Sequence, residues 1–213
     1  MIPEDSRPLG PIRVLREAEL VLPDRLVVGD LCIQDTRIHA LSPAGTARGD
    51  EVHDARGWRI YPGFIDLHTH GGWGFDFDTG SVDDYIRAAE AYGRAGVTRL
   101  LATLVPAPWN ELIERVAAAA RHVQADPAYL GLHLEGPFLA PNRLGALPAV
   151  GVVPYTDRRM EELLRAADGT LRVMTFAPEV VPIERIPVIQ SRGVILSIGH
   201  TSATHDETRA AVR

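Results

Sequence analysis

Cysteine is almost missing from this chain. Cys32 is the only one in 213 residues, so no internal disulfide can form, and such usage favours a reducing cytoplasm. Long apolar runs are missing too, and none approaches the about 20 residues that a membrane-spanning helix needs. The start, Met1-Ile2-Pro3-Glu4-Asp5-Ser6-Arg7-Pro8, has neither the cationic nor the apolar part of a secretory signal. Basic clusters are absent: the arginines are scattered, there is no lysine-rich run, and the formal net charge is −6. That balance argues against a nucleic-acid surface. No G-x-G-x-x-G follows the first strand of the strand–helix series, where a dinucleotide-binding fold would carry its phosphate loop. What remains is ordinary globular composition, long enough for a sizeable core. A cytoplasmic protein without membrane or nucleic-acid partners is the expectation.

Two textures follow each other along the chain. Residues 11–60 read as a small β-layer of short strands: Arg13–Leu15, Glu19–Leu22, Leu26–Val28, Leu31–Ile33, Arg37–Leu41 and Trp58–Ile60. Gly29-Asp30 reads as a turn, and a loop rich in Gly, Pro and Ala precedes Trp58. From Pro62 onward, strands alternate with helices. Strands are expected at Phe64–His70, Val97–Leu104, Leu130–Glu135, Leu171–Ala177 and Val194–His200. Helices are expected over Val82–Arg94, with Ser81 as N-cap, and over Trp109–Gln124, Asp157–Ala167, Ile183–Ser191 and after Thr204. The domains expected are therefore 1–61, an incomplete β-sandwich-like piece, and 62–213.

Serial strand–helix units imply a parallel sheet, closed as a (β/α)₈ barrel or left open and doubly wound. Polar residues mark the C-terminal ends of the first, third and fifth strands of this series, and in a barrel those ends meet at one mouth. The barrel is favoured on that ground. It takes about 250 residues, whereas residues 62–213 supply five units, so the expectation is a TIM-like (β/α)₈ hydrolase barrel cut after its fifth unit.

The polar residues at those strand ends are His68 and His70, Glu135, and His200. Residues two apart on a strand share a face, so His68 and His70 can aim at one point. Singly, each has a plain reading: surface histidines, a glutamate opening a loop, a satisfied core histidine. Together they form an N/O ligand set suited to zinc or a similar divalent ion. His133, two before Glu135, is either a supporting partner of the ligands or a packing residue. Trp73, Phe75 and Phe77 either wall a pocket or pack their loop. His39 and His53 read as exposed or structural. Asp78-Thr79-Gly80 copies the aspartic-protease triplet, but that chemistry needs a second carboxylate of the same kind, and no second copy exists.

The string Pro62-Gly63-Phe64-Ile65-Asp66-Leu67-His68-Thr69-His70-Gly71 resembles the first-strand signature of the amidohydrolase superfamily. Leu132-His133-Leu134-Glu135-Gly136-Pro137-Phe138, Ala177-Pro178-Glu179 and Gly199-His200-Thr201-Ser202-Ala203 resemble, more narrowly, the N-acetylglucosamine-6-phosphate deacetylase family. The resemblance implies removal of an acetyl group from an amino-sugar phosphate by one or two divalent ions, zinc first, with iron, manganese or cobalt as alternatives. It implies that Glu135 and His200 bind the principal ion, with a further histidine of strand six lying past Arg213. His68 and His70 would hold a second ion that Glu135 bridges. The catalytic aspartate would come from strand eight, also past Arg213, which leaves this stretch inactive alone. A homodimer is the assembly considered. The sugar-phosphate contact carries over only to Ala146, because Leu147 stands where the family has a histidine, and Leu147 cannot donate a hydrogen bond. Arg143 stands nearby. Two other readings remain open: an amidohydrolase for a different N-acyl substrate, and an inactive metal-binding remnant. Cyclic-amide hydrolases and aminoacylases commonly bridge their metals with a lysine, and no expected strand here contains one.

Overall fold

The computed structural model describes residues 10–212; the expectations about residues 1–8 lie outside the described residues. These residues fall into two compact units, one ending at Pro62 and the other beginning at Gly63.

The first unit is a β-sheet in which β1 (Ile12–Val21) is central. It pairs antiparallel with β2 (Leu26–Gln34), which pairs with β3 (Arg37–Pro43), and parallel with β4 (Glu51–Asp54) and β5 (Arg59–Ile60). Three sequence expectations are corrected here. Arg13–Leu15 and Glu19–Leu22 are one strand, whose register shifts between Leu15 and Ala18 where Glu17 takes φ 59°. Gly29-Asp30 is no turn but the middle of β2. A Cβ on Gly29 would come 2.9 Å from the Ser42 carbonyl oxygen, so the glycine serves close approach between strands. The fully buried Asp30 carboxylate accepts N–H groups from Glu17, Gly45 and Ala47. Burial pushes the Asp30 carboxyl upward, but those amides outweigh it and hold it below its ordinary value. Finally, β4 lies in the stretch expected to be a loop. All four of its residues are exposed, so it carries no apolar alternation to read.

The second unit is a parallel sheet of β6 (Phe64–Thr69), β9 (Val97–Leu104), β10 (Tyr129–Glu135), β11 (Leu171–Phe176) and β12 (Ile195–Ile198), in that spatial order. A doubly wound sheet reverses direction at a switch point; this sheet runs strictly in sequence, as an arc of a barrel does. The Gly-rich loop after β6 forms a small hairpin, β7 (Gly71–Gly72) with β8 (Phe75–Asp76). Between the strands run α1 (Val82–Arg94), α2 (Trp109–Ala125), α3 (Asp157–Ala166) and α4 (Ile186–Gln190), and α5 (His205–Ala211) follows β12. Ser81 caps α1 in a capping box with Asp84, and Thr204 does the same for α5 with Glu207, each such cap contributing about 1 kcal/mol. The single helix expected over Ile183–Ser191 is split: a 3₁₀ turn, Ile183–Arg185, leads into α4.

Leu100, Leu132 and Met174 are wholly buried on three adjacent strands, packed with α1–α4 side chains such as Tyr85, Val116, Leu163 and Ile189. The two edge strands differ: Phe64, Ile65 and Leu67 on β6 and Ile195 on β12 are all more than half exposed. Among the described residues no helix is long and apolar enough to cross a membrane. Burial predicts a contrast: Leu132→Ala should lower the unfolding free energy by about 2–5 kcal/mol, and Ile195→Ala should change it by no more than about 0.5 kcal/mol. Urea titration of the full chain measures both.

Candidate metal centre

All four histidine and glutamate candidates sit at the C-terminal ends of the parallel strands, and the structure brings them together. Glu135 is the last residue of β10. One of its carboxylate oxygens lies 3.0 Å from His70 Nε2 and 3.5 Å from His68 Nε2; the other lies 2.9 Å from His200 Nε2. The His68 and His70 Nε2 atoms are themselves 3.2 Å apart. The glutamate side chain is 12% exposed, so little water shares it with the imidazoles.

Backbone carbonyls fix which ring nitrogens face the carboxylate. A carbonyl only accepts, so His70 Nδ1 donates to Thr103 O (3.1 Å) and His200 Nδ1 donates to Arg143 O (3.0 Å). In the neutral ring this leaves an Nε2 lone pair aimed at Glu135 on both, the tautomer that ligates metal. His200 follows β12 and has φ 50°, a left-handed conformation that costs a residue with a Cβ about 1–2 kcal/mol. Its backbone is held there: Ala140 N–H donates to its carbonyl at 3.0 Å. The segment after Glu135 therefore orients His200. Gly136 starts that segment at φ +110°, where a Cβ would meet Leu139 at 2.9 Å; only glycine turns the chain there.

The electrostatics are those of a carboxylate among bases. The hydrogen bond from His70 chiefly holds the Glu135 carboxyl at about 2, against the upward push of burial and with further help from His200 and His68. The same bond raises the His70 imidazole, against burial. His133 moves the other way: it is 4% exposed, and burial lowers it. Its Nδ1 donates to Leu67 O at 2.9 Å and its Nε2 bonds the Thr175 hydroxyl at 2.8 Å. With both nitrogens engaged, His133 is no ligand; it braces the strand that carries His68.

Other candidates lie apart from the carboxylate. Ala146 is exposed on the loop after β10. That loop touches the centre through Arg143, whose carbonyl receives His200 and whose guanidinium donates to Ser202 Oγ at 3.2 Å. Leu147 is half-buried and its amide donates to Leu144 O. Phe77 is buried against Tyr85 and Tyr129, Phe75 packs beneath Arg87, and Trp73 is exposed with its ring edge-on to Tyr92, contacts that fit the packing alternative. Asp78 pairs with Arg115 and accepts from Val105 N–H, a structural role. His39 and His53 are exposed on the first unit.

Three contributors were not expected from sequence. Thr103, fully buried, accepts Thr69 N–H on its hydroxyl and His70 Nδ1–H on its carbonyl. Arg143 acts through its backbone oxygen, which no side-chain pattern signals. Glu179 accepts from the Thr201 hydroxyl and from Ser202 N–H at 2.6 Å, tying the loop after His200 to the end of β11; the Thr201-Ser202 pair beside a histidine is a signal for such a clamp.

The donor set fits a divalent cation. Three imidazole nitrogens surround one carboxylate, and the pair 3.2 Å apart is satisfied only with a proton or a cation in their midst. Without metal, a proton on His70 plays that part, and the signs give a pH profile. The depressed Glu135 carboxyl stabilises the fold above about pH 4.5 and loses that contribution as pH falls towards 2. The raised His70 stabilises it fully below its unfolded value near 6.5 and loses the contribution as pH rises through its folded one. The melting temperature of metal-free wild type should therefore exceed that of Glu135→Gln most between about pH 4.5 and 6.5, with the gap closing on both flanks. Thermal melts in chelator across pH 3–9 check this.

Comparison with known proteins places the chain in a family. No protein-family model matches the chain. The human N-acetylglucosamine-6-phosphate deacetylase is 32% identical over 201 residues, covering 90% of this chain and 48% of that protein. The N-acetylgalactosamine-6-phosphate deacetylase of Escherichia coli O157:H7 is 32% identical over 156 residues, 71% of this chain and 41% of that protein. Among solved structures, N-acetyl-D-glucosamine-6-phosphate deacetylase from Mycobacterium smegmatis, in its D267A form with N-acetyl-D-glucosamine-6-phosphate, superposes with a TM-score of 0.84 at 34% identity. That match covers 95% of this chain and 53% of the other. The chain thus spans about half the length of the curated relatives it matches, and across that half it belongs to the N-acetylglucosamine-6-phosphate deacetylase family of amidohydrolases.

Proposed function

We propose that this chain carries the metal-holding face of a hydrolase that removes the acetyl group from N-acetylglucosamine 6-phosphate. The observation that carries the reading is the Glu135 carboxylate within 3.5 Å of three imidazole nitrogens at the ends of β6 and β10 and after β12. His68, His70, Glu135 and His200 would hold one or two divalent ions. Zinc comes first on the N/O donor set, with iron, manganese and cobalt as the alternatives. Bound there, such an ion supplies Lewis-acid polarisation of water and of an amide carbonyl. The chain's own part is to keep the Nε2 lone pairs of His70 and His200 turned inward, through Thr103 and Arg143, and to supply anionic charge from Glu135. The exposed apolar residues on edge strands β6 and β12 support completion of the sheet as a (β/α)₈ barrel.

Substrate identity rests on the relatives' names, and those name two epimeric sugars. Ala146 is proposed to line the sugar-phosphate site. Leu147 offers the phosphate no donor, which leaves Arg143 as the cation of that loop. A lysine-bridged cyclic-amide hydrolase is disfavoured, since the chain has no lysine at all. A reducing cytoplasm and a homodimer are proposed as the setting.

The test is metal content together with acetate release from N-acetylglucosamine 6-phosphate, N-acetylgalactosamine 6-phosphate and unphosphorylated N-acetylglucosamine. The reading predicts bound divalent metal, most of it lost in Glu135→Gln, and, in protein that also carries the expected strand-eight aspartate, preference for the phosphorylated glucosamine. Metal without turnover in such protein would point to another N-acyl substrate or a remnant, and neither metal nor turnover would contradict the reading.

A further inference from the structure

The strand that brings the two first histidines to the centre is irregular at the place where it matters. Asp66 pairs with Leu100 and Thr69 with Ala102, so β6 advances three residues while its neighbour β9 advances two. That is a β-bulge at Leu67–His68, and bulges re-aim side chains at the cost of unpaired backbone groups. Three backbone groups at the bulge meet side chains. His68 N–H donates to Asp66 Oδ1 at 3.0 Å, Thr69 N–H donates to Thr103 Oγ1 at 3.0 Å, and Leu67 C=O accepts from His133 Nδ1 at 2.9 Å. The last bond does not come from the adjacent strand. His133 stands on β10, two strands away from β6 in the sheet, and its other nitrogen is engaged by Thr175 of β11. Thr103 and His133 are 0% and 4% exposed, so water cannot replace either bond.

We infer that His133 and Thr103 are positioning residues which lock this bulge and so hold His68 and His70 on Glu135. The inference rests on the metal reading above but goes beyond it. It assigns the histidine of the His-Leu-Glu string to the arm of His68 and His70, although that histidine shares a strand with Glu135. A residue that only filled space would tolerate an apolar replacement of similar volume. A residue that caps a bulge needs its donor or acceptor. Asn places an amide N–H near the position of His Nδ1, and Ser keeps the hydroxyl of Thr, so each position has a replacement that keeps the bond and one that removes it.

The experiment titrates Co²⁺ into the metal-free full chain and reads affinity and the visible ligand-field spectrum. Four variants are compared with wild type: Thr103→Val, Thr103→Ser, His133→Leu and His133→Asn, each checked for folding by circular dichroism. Wild type should bind Co²⁺. The Val and Leu variants should bind about 10- to 100-fold more weakly with a displaced spectrum, and the Ser and Asn variants should recover most of the affinity and the wild-type band positions. Should His133→Leu fail to fold, the Val and Ser pair at Thr103 decides. Folded Val and Leu variants with wild-type affinity and spectrum would overturn the inference alone. So would Ser and Asn variants as weak as the Val and Leu ones, since volume would then be what counts. Failure of wild type to take up Co²⁺ would instead overturn the metal reading, and this inference with it.

Discussion

The second unit is organised so that one carboxylate ends up among three bases. Glu135 closes the central strand of the sheet, and the histidines reach it from the edge strand β6 and from the turn after β12. A buried negative charge is expensive unless it is paired, and rings that turn lone pairs toward it complete that pairing only with a proton or a cation between them. That arrangement is poised for a cation: the carboxylate supplies charge, the imidazoles supply lone pairs, and carbonyls at Thr103 and Arg143 decide which nitrogen each ring presents. Without the carboxylate, the three rings lose the one group they share.

The supporting structure is a set of cross-links between strand ends. Thr103 of β9 and His133 of β10 secure β6. Ala140, after β10, secures the backbone of His200, and Glu179, after β11, secures the residues that follow it. These strand ends are thus tied to their neighbours as well as to their own loops. These cross-links bring residues as distant in sequence as His68 and His200 to one carboxylate. The apolar core beneath, centred on Leu100, Leu132 and Met174, supplies rigidity without touching the chemistry.

What sequence made legible was whatever repeats or stands out by chemical type. The strand–helix alternation after Pro62, the caps at Ser81 and Thr204, and the four ligand candidates all follow from periodicity, cap chemistry and polar residues at apolar strand ends. What it hid were features set by pairing. Gly29-Asp30 has turn composition, yet the glycine is needed for strand approach and the aspartate for buried amides. Strand β4 shows no alternation because all its residues are exposed. The bulge at Leu67–His68 exists only relative to β9, so neither it nor its caps can be read from β6 alone. The carbonyl of Arg143 is chemically the same as every other in the chain. Ala146 came from family likeness alone, and its loop meets the centre through Ala140 and Arg143.

The central proposal is that His68, His70, Glu135 and His200 hold one or two divalent ions. X-ray absorption at the zinc edge, on metal-free full chain given one equivalent of Zn²⁺, tests it most directly. The account predicts a first shell of nitrogen and oxygen at about 2.0–2.2 Å, with the outer-shell scattering of at least two imidazoles, reduced in His70→Ala and His200→Ala. A shell of oxygen alone, without imidazole scattering, would contradict it.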